Sequence, residues 1–300
     1  MKHFILGTDW WSDCDDAVAV RLLVNLHKAK KISLDGIVIN ACMEYSAAGM
    51  DGFLTLSGVK IPIGIDREGT DFYGKGLYQE RLAQSAKNIK SNEDAENPVK
   101  LYRRILAGAN DKVHILEIGF SQVLANLLKS EADEHSSLNG AELVREKVAE
   151  LWIMAGKWGF QTGAKEHNFC NNLRASMAAE YLCKNWSSPI TFLGWEVGNT
   201  VITGTKLDHG DFLYQTMCDA GYPAGRCSWD PMLVLLGTSG DLKCEGYDCV
   251  YGQASVDGET GINYFTEKSN GSHRYVKKIK PDKFYSDRID SMIGLKDLKI

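Results

Sequence analysis

The sequence lacks several features that would assign it to a specialised class of protein. No apolar run reaches the length of about 18 residues that a membrane-spanning helix needs. Only six of the 300 residues are prolines, and 29 are glycines, which excludes a collagen-like or low-complexity chain. The net charge is −5, and no long basic stripe of the kind found in nucleic-acid binders is present. We therefore expect neither a membrane nor a nucleic acid as partner.

Cysteine is present, but not in patterns typical of metal sites. None of the eight cysteines belongs to a Cys-x-x-Cys pair, and no histidine lies at zinc-finger spacing. The chain opens on a short apolar run, at residues 4–6, without a charged-then-apolar leader. These features predict a cytoplasmic protein with reduced and mostly buried thiols.

What the sequence does contain is an alternation of short apolar runs and helical periods. The apolar runs predict strands at 4–6, 36–39, 113–118, 151–154 and 190–193, and the periodic stretches predict helices at about 17–26, 47–57, 98–107, 122–129, 174–184 and 230–236. This order is typical of an α/β fold with three layers, in which helices cover both faces of a mostly parallel central sheet. We expect a single domain over residues 1–300. Turn residues at 257–261 predict a small C-terminal β hairpin.

The most informative segment is an acidic loop between the first predicted strand and the first predicted helix. It holds Asp9, Asp13, Asp15 and Asp16 within eight residues. Ligands of parallel sheets bind at the carboxyl ends of strands, and carboxylates crowded there repel one another. A divalent cation would offset this repulsion, and the all-oxygen donor set favours Ca²⁺ or Mg²⁺ over zinc. Alternatively, the last three aspartates interact with the helix N-terminus as caps or dipole partners.

Six segments in order resemble the nucleoside hydrolases, the inosine–uridine-preferring N-ribohydrolase family. The acidic loop is similar to a longer variant of the family's first loop, with Gly7 in place of its first Asp. The other similar segments are 119–125, 153–156, 166–169, 194–198 and 228–231. The resemblance covers about residues 4 to 277, but Cys42 and Met43 replace a Gly-Asn pair, and Asn172 replaces an Asp.

This resemblance implies a calcium-dependent enzyme that hydrolyses the N-glycosidic bond of a ribonucleoside, with purines preferred. It implies that Ca²⁺ is held by Asp9, Asp16, Asp230 and the backbone carbonyl of Gln122. Asp9 would also be the general base on a water molecule held by the ion. The carboxylates would stabilise the positive charge of an oxocarbenium-like transition state. The implied role is purine salvage, and we expect a homo-oligomer.

The same resemblance implies how the nucleoside is held. The predicted substrate-binding residues are Asp15, Asn40, Met154, Glu166, Asn168 and Trp229. Trp229 stands where purine-preferring members carry a Trp, and its indole would stack on the base. The candidates for a second stacking face, or else for core packing, are Trp10, Trp11, Trp158, Phe72 and Tyr73. Strand-like alternation predicts that His167 points away from the pocket.

Two other functions are considered. A phosphotransferase of the haloacid-dehalogenase type needs a second Asp two residues after its nucleophile, but Trp11 stands there after Asp9. The other is a non-catalytic or weakly active nucleoside or ribose binder stabilised by calcium, which the missing Gly-Asn pair favours.

Overall fold

A computed structural model describes residues 1–11, 13–72 and 74–294. The strands are β1 (Lys2–Thr8), β2 (Ile32–Ile39), β3 (Ile63–Ile65), β4 (Val113–Glu117), β5 (Val148–Met154), β6 (Ala164–Lys165), β7 (Ile190–Leu193), β8 (Ile202–Thr203), β9 (Arg226–Cys227), β10 (Tyr247–Val256), β11 (Ile262–Glu267) and β12 (His273–Lys278). The α-helices are α1 (Asp15–Lys28), α2 (Ser46–Leu56), α3 (Gln79–Ala83), α4 (Pro98–Gly108), α5 (Gln122–Lys129), α6 (Gly140–Lys147), α7 (His167–Cys170), α8 (Leu173–Asn185), α9 (Trp195–Gly198), α10 (Phe212–Asp219), α11 (Trp229–Ser239) and α12 (Asp282–Ile293).

A ten-stranded sheet forms the centre of the fold, in the order β3-β2-β1-β4-β5-β7-β12-β10-β11-β6. The strands from β3 to β12 in this order are parallel to their neighbours. This confirms the prediction of a mostly parallel sheet, and each of the five predicted strands corresponds to one of its members. Their apolar runs are continuous because both faces of a parallel sheet are covered.

Helices cover both faces of the sheet, as predicted for three layers. Phe4 and Leu6 of β1 belong to one apolar cluster, which also contains residues of α1, α2, α11 and α12. Ile5 points to the other face and joins a second cluster with residues of α4, α5, α6 and α8. Successive side chains of a strand alternate between the faces, so one strand supplies both clusters.

The predicted C-terminal hairpin is confirmed, but it is part of the central sheet. β10 and β11 are antiparallel and are joined by a turn in which the Gly261 amide donates to the Asp257 carbonyl. β12 pairs with β10 on one side and lies parallel to β7 on the other, so the hairpin extends the sheet. The short strands β8 and β9 form a separate antiparallel pair.

The fold gathers the loops that follow β1, β4, β5 and β7 at one edge of the sheet, because these four neighbouring strands run in the same direction. This is the edge at which open parallel sheets bind ligands. None of the helices described over residues 1–11, 13–72 and 74–294 has both the length and the apolar character needed to cross a membrane.

Candidate active site

A cavity of about 360 Å³ opens at this edge of the sheet. Cavities that bind small molecules usually measure roughly 300 to 1,000 Å³, so this volume suits a small ligand. Five groups of residues form it: the acidic loop with the start of α1, the ends of β4 and β5, the start of α7, the start of α9, and the segment that leads into α11. Its lining consists of Asp9, Asp13, Asp15, Asp16, Ile118, Met154, Glu166, His167, Asn168, Trp195, Tyr222, Arg226, Trp229 and Asp230.

Carboxylates dominate the floor of the cavity. Asp15 and Asp16 open α1, and Asp230 lies in the first turn of α11. One oxygen of each of these three side chains lies within 4.8 Å of the others. The Asp230 amide donates to Asp15 Oδ2 at 3.2 Å, and the Thr8 hydroxyl donates to Asp16 Oδ1. The structure thus brings together carboxylates that are 215 positions apart in the chain.

Burial makes these carboxylates costly to charge. It raises the pKa of Asp9 to about 8, with Asp13 and Asp15 adding to the effect. The pKa values of Asp15, Asp16 and Asp230 are also raised well above the usual range, first by burial and then by neighbouring aspartates. Like charges packed in a buried site cannot all ionise alone, so these carboxyl groups either keep protons or share a compensating cation.

Helix capping does not account for the cluster. The N-cap of α1 is Cys14, which makes no side-chain capping bond. Asp13 accepts a hydrogen bond from the Cys14 amide at 2.7 Å, but it also pairs with Arg226 across the cavity. The capping alternative therefore explains the charge near the helix start less well than a bound cation does.

The loop that carries Asp9 is held in a defined shape. Asp9 Oδ1 accepts from the Trp11 amide at 3.2 Å, and Trp10 adopts a left-handed backbone conformation with φ of 49°. The buried amide of Gln79 donates to the carbonyls of Trp10 and Trp11 at 2.9 and 2.7 Å. Gln79 is separated from the loop by nearly 70 positions, so no local signal in the sequence indicates this support.

Glu166 and Asn168 line the cavity, as expected. Glu166 Oε2 accepts from the amides of Gly156 and Asn168 at 2.9 and 3.0 Å and caps α7. Burial raises the pKa of Glu166 to about 7, against the lowering effect of these hydrogen bonds. Asn168 Nδ2 donates to the carbonyl of Met154 at 2.8 Å and more weakly to that of Ile118, at 3.4 Å. Ile118, Met154, Glu166 and Asn168 all line the cavity.

Asn40 and Gln122 are not among the described residues that line the cavity. Asn40 is fully buried, where its Nδ2 donates to Glu117 Oε1 at 2.7 Å and its Oδ1 accepts from the Phe120 amide at 3.0 Å. Gln122 is the first residue of α5, and its amide donates to Asp66 at 3.1 Å. Ile118, directly after β4, lines the cavity, and its carbonyl accepts from Asn168 Nδ2.

The aromatic wall of the cavity contains Trp229, as predicted, together with two residues that the sequence did not single out, Trp195 and Tyr222. Trp229 Nε1 donates to the Trp195 carbonyl at 2.7 Å, which fixes the indole at the rim. A side chain at Gly198 would place its Cβ 2.6 Å from Trp229 Cδ1, so only glycine lets the indole pack here.

The other aromatic candidates lie elsewhere. Trp10 is buried edge-to-face against Phe53 and Tyr78, and Phe72 stacks on Phe120 with centroids 3.8 Å apart. Trp158 packs on Phe192, and Trp11 belongs to a smaller apolar cluster, so both lie away from the cavity. Tyr73 lies outside the described residues.

His167 lines the cavity, contrary to the prediction from alternation. That prediction assumed a strand, but α7 begins at His167, so the alternation of a strand does not apply to its side chain. The imidazole Nε2 lies 3.1 Å from Asn171 Nδ2. Burial lowers the pKa of His167, and the charge of Asp13 opposes this.

Among the described residues, Arg226 supplies a positive charge at the cavity, and no motif in the sequence indicated it. Its Nε donates to Asp13 Oδ1 at 2.8 Å and its Nη2 donates to Asp13 Oδ2. The guanidinium carbon lies 4.5 Å from the ring centre of Tyr222 and 5.0 Å from that of Trp229. This pairing with Asp13 raises the pKa of Arg226 further above its usual range.

Comparison with known proteins supports the fold. No protein-family model and no curated protein matches this sequence. Among solved structures, an inosine-uridine preferring nucleoside hydrolase from Bacillus anthracis is 16% identical, with a TM-score of 0.68 over 98% of this chain and 99% of that one. An inosine-guanosine nucleoside hydrolase is 14% identical, with a TM-score of 0.67 and the same coverage.

The type III effector protein XopQ, solved in complex with adenosine diphosphate ribose, is also similar. It is 14% identical, with a TM-score of 0.64 over 98% of this chain and 93% of its own. The similarity in each case extends over almost the whole of both chains. The protein therefore has the fold of the nucleoside hydrolases, as its sequence motifs implied.

Proposed function

We propose that this protein hydrolyses the N-glycosidic bond of ribonucleosides in a calcium-dependent manner, with a preference for purine bases. The observation that carries the proposal is the buried cluster of Asp15, Asp16 and Asp230, which lines the same cavity as the aromatic wall. Carboxylates in such a cavity suit a reaction in which positive charge develops on a sugar, and aromatic rings in its wall suit a flat base. Fold neighbours with this activity support the same conclusion.

The donor set fits a calcium ion. Asp15, Asp16 and Asp230 offer oxygens close to one another, and Asp9 lines the same cavity. Hard oxygen donors in a flexible arrangement are what Ca²⁺ prefers. When bound, the ion would offset the repulsion of the carboxylates, orient the ribose hydroxyls and acidify a water molecule.

The chain's own residues then have distinct tasks. Asp9, which lines the cavity, accepts a proton from the attacking water. Asp15, Glu166 and Asn168 hold ribose hydroxyls through oxygens and an amide at the cavity surface. The fixed carboxylates stabilise the oxocarbenium-like sugar without having to rearrange during the reaction.

A second candidate is a protein that binds the nucleoside without efficient turnover. Asn40 is the nearest amide to the missing Gly-Asn pair, and both ends of its side chain are engaged inside the protein. The side-chain amide of Asn40 is therefore not free to make the ribose contact that the family motif implies. An effector with the same fold, solved with adenosine diphosphate ribose, is consistent with a binding role.

One assay separates the two candidates. The protein is incubated with inosine, guanosine, adenosine, uridine and cytidine, with calcium or with a chelator, and the released reducing sugar is measured. We expect chelator-sensitive release that is faster from the purine nucleosides. Saturable binding in a calorimeter, with no sugar released from any nucleoside, would favour the second candidate.

A further inference from the structure

We propose that Arg226 recognises the leaving base and makes the enzyme selective for 6-oxopurine nucleosides over adenosine. This inference rests on the proposed function, because it assigns the base-binding side of the same cavity. It also names a group that stabilises the departing base, which the carboxylates on the sugar side cannot do.

The guanidinium is held rigidly at the cavity. Asp13 engages one edge of it, through Nε at 2.8 Å and through Nη2. Its faces are in contact with the rings of Tyr222 and Trp229, at 4.5 and 5.0 Å from the ring centres. Its backbone is fixed as well, since Arg226 pairs with Thr203 in the β8–β9 ribbon. A planar cation held by an edge and a face has lost most of its freedom before any ligand binds.

The remaining edge of the guanidinium is available for a ligand. Pairing with Asp13 uses the Nε proton and one Nη2 proton, and no hydrogen-bond partner of Nη1 is found over residues 1–11, 13–72 and 74–294. Nη1 and the second Nη2 proton form a two-donor fork. Arg226 lies in the cavity wall together with Trp229, the residue proposed to stack on the base.

Two acceptors match this fork. Hypoxanthine and guanine present O6 and N7 side by side, and an arginine fork binds this pair in a bidentate manner. Adenine replaces the O6 acceptor with an N6 donor, which would face an N–H of the guanidinium. The arrangement therefore favours inosine and guanosine by the same chemistry that reads guanine in nucleic acids.

The same contact helps the base to leave. The bond between C1′ and N9 breaks with its electron pair going to the base, the water oxygen bonds to C1′, and the water proton goes to Asp9. The negative charge of the departing purine spreads to O6 and N7, where the arginine donors meet it. The free base then takes a proton from solvent. Arg226 remains protonated throughout, so this is electrostatic stabilisation without proton transfer from the arginine.

Arg226→Gln and Arg226→Lys test the proposal, since the lysine keeps the charge but not the fork. We measure kcat/KM for inosine, guanosine, adenosine and 7-deazainosine, and for 4-nitrophenyl riboside, whose leaving group needs no assistance. The matched control is Arg21→Gln, because Arg21 also pairs with an aspartate, Asp211, and lies over an aromatic ring, Phe212, but does not line the cavity.

We expect the unaltered protein to prefer inosine and guanosine over adenosine by about 10- to 100-fold. Both Arg226 variants lose this preference, because their rates fall more on inosine and guanosine than on adenosine or 4-nitrophenyl riboside. Removing N7, in 7-deazainosine, lowers the rate of the unaltered protein but not further that of Arg226→Gln. Arg21→Gln keeps the ratio of inosine to adenosine rates.

Three results would overturn the inference. Equal losses on every substrate in Arg226→Gln would mean that Arg226 only supports the structure. A preference for oxopurines that disappears in His167→Gln, but survives in Arg226→Gln, would assign the base contact to His167. No ribose release by the unaltered protein, even from 4-nitrophenyl riboside, would reject the proposed function and this inference with it.

Discussion

The carboxyl group of Glu117 occupies the space that a side chain at Gly7 would need. The two residues are paired across β1 and β4, and a Cβ at Gly7 would overlap the Glu117 carboxylate. Gly7 stands where the family motif has its first Asp. A carboxylate is thus present at this level of the sheet, but the neighbouring strand supplies it. Glu117 Oε1 accepts from Asn40 Nδ2 and from the Gly119 amide, at 2.7 and 3.0 Å.

This relationship predicts a specific pattern in a double-mutant cycle. Gly7→Asp should destabilise the protein by about 1–3 kcal/mol through overlap with Glu117. Glu117→Ala should cost a similar amount, because it leaves the amides of Asn40 and Gly119 without an acceptor. The double variant restores one carboxylate at this level. We therefore expect its free energy of unfolding to fall by less than the two single losses added together, with a difference of about 1 kcal/mol or more.

Urea unfolding measures the three free energies. Gly108→Ala is the matched control, since no atom lies within 4 Å of the Cβ it would add, and it should be neutral or slightly stabilising. Strict additivity of the two single changes would show that Gly7 and Glu117 are not coupled.

The stability of the metal-free protein should fall as the pH rises. The pKa is raised to about 8 in Asp9 and to about 7 in Glu166, whereas carboxyls of an unfolded chain titrate near about 4. The folded protein therefore binds more protons than the unfolded chain between these values, and stability is lost as the pH rises through them. Between pH 5 and pH 8 we expect the Tm to fall by about 5–10 °C.

Calcium should reverse this fall. A cation binds the ionised carboxylates, so added calcium should raise the Tm more at pH 8 than at pH 5, and a chelator should remove the difference. Differential scanning calorimetry measures both series. A calcium effect of equal size at the two pH values would contradict an ion held by Asp15, Asp16 and Asp230.

Asp9→Asn should abolish most of the turnover and leave the fold intact. The amide keeps the size of the carboxyl and can still accept from the Trp11 amide, but it cannot take a proton from water. We expect kcat to fall by about 100- to 10,000-fold. The control is Asp35→Asn, because Asp35 pairs with His3 away from the cavity. Circular dichroism checks the fold, and a normal rate in Asp9→Asn would assign the base to another residue.

Trp229→Ala should reduce the rate on purine nucleosides more than on pyrimidine nucleosides, by about 10-fold, because a purine has the larger face for stacking. Trp229→Phe is the matched control: it keeps a ring but loses the hydrogen bond to the Trp195 carbonyl. We expect it to retain part of the purine preference. Equal losses on both classes of nucleoside would argue against stacking at this position.

The main secondary structure was predictable because its signals are local. The apolar runs of β1, β2, β4, β5 and β7 and the periods of α1, α2, α4, α5, α8 and α11 are written in consecutive residues. The elements that were not predicted include the helices α6, α10 and α12 and the short strands β6, β8 and β9. β6 pairs with β11, which lies far away in the chain, so no local signal indicates it.

The sequence by itself determined that aspartates crowd one loop at the end of a buried strand. It also determined the parallel sheet, because continuous apolar strands must be covered on both faces. Only the tertiary structure decided that Asp230 joins Asp15 and Asp16, that Glu117 fills the place left by Gly7, and that Arg226 meets Asp13 at the cavity. These contacts join residues that are 110 or more positions apart, and folding sets their distances through the packing of whole strands and helices.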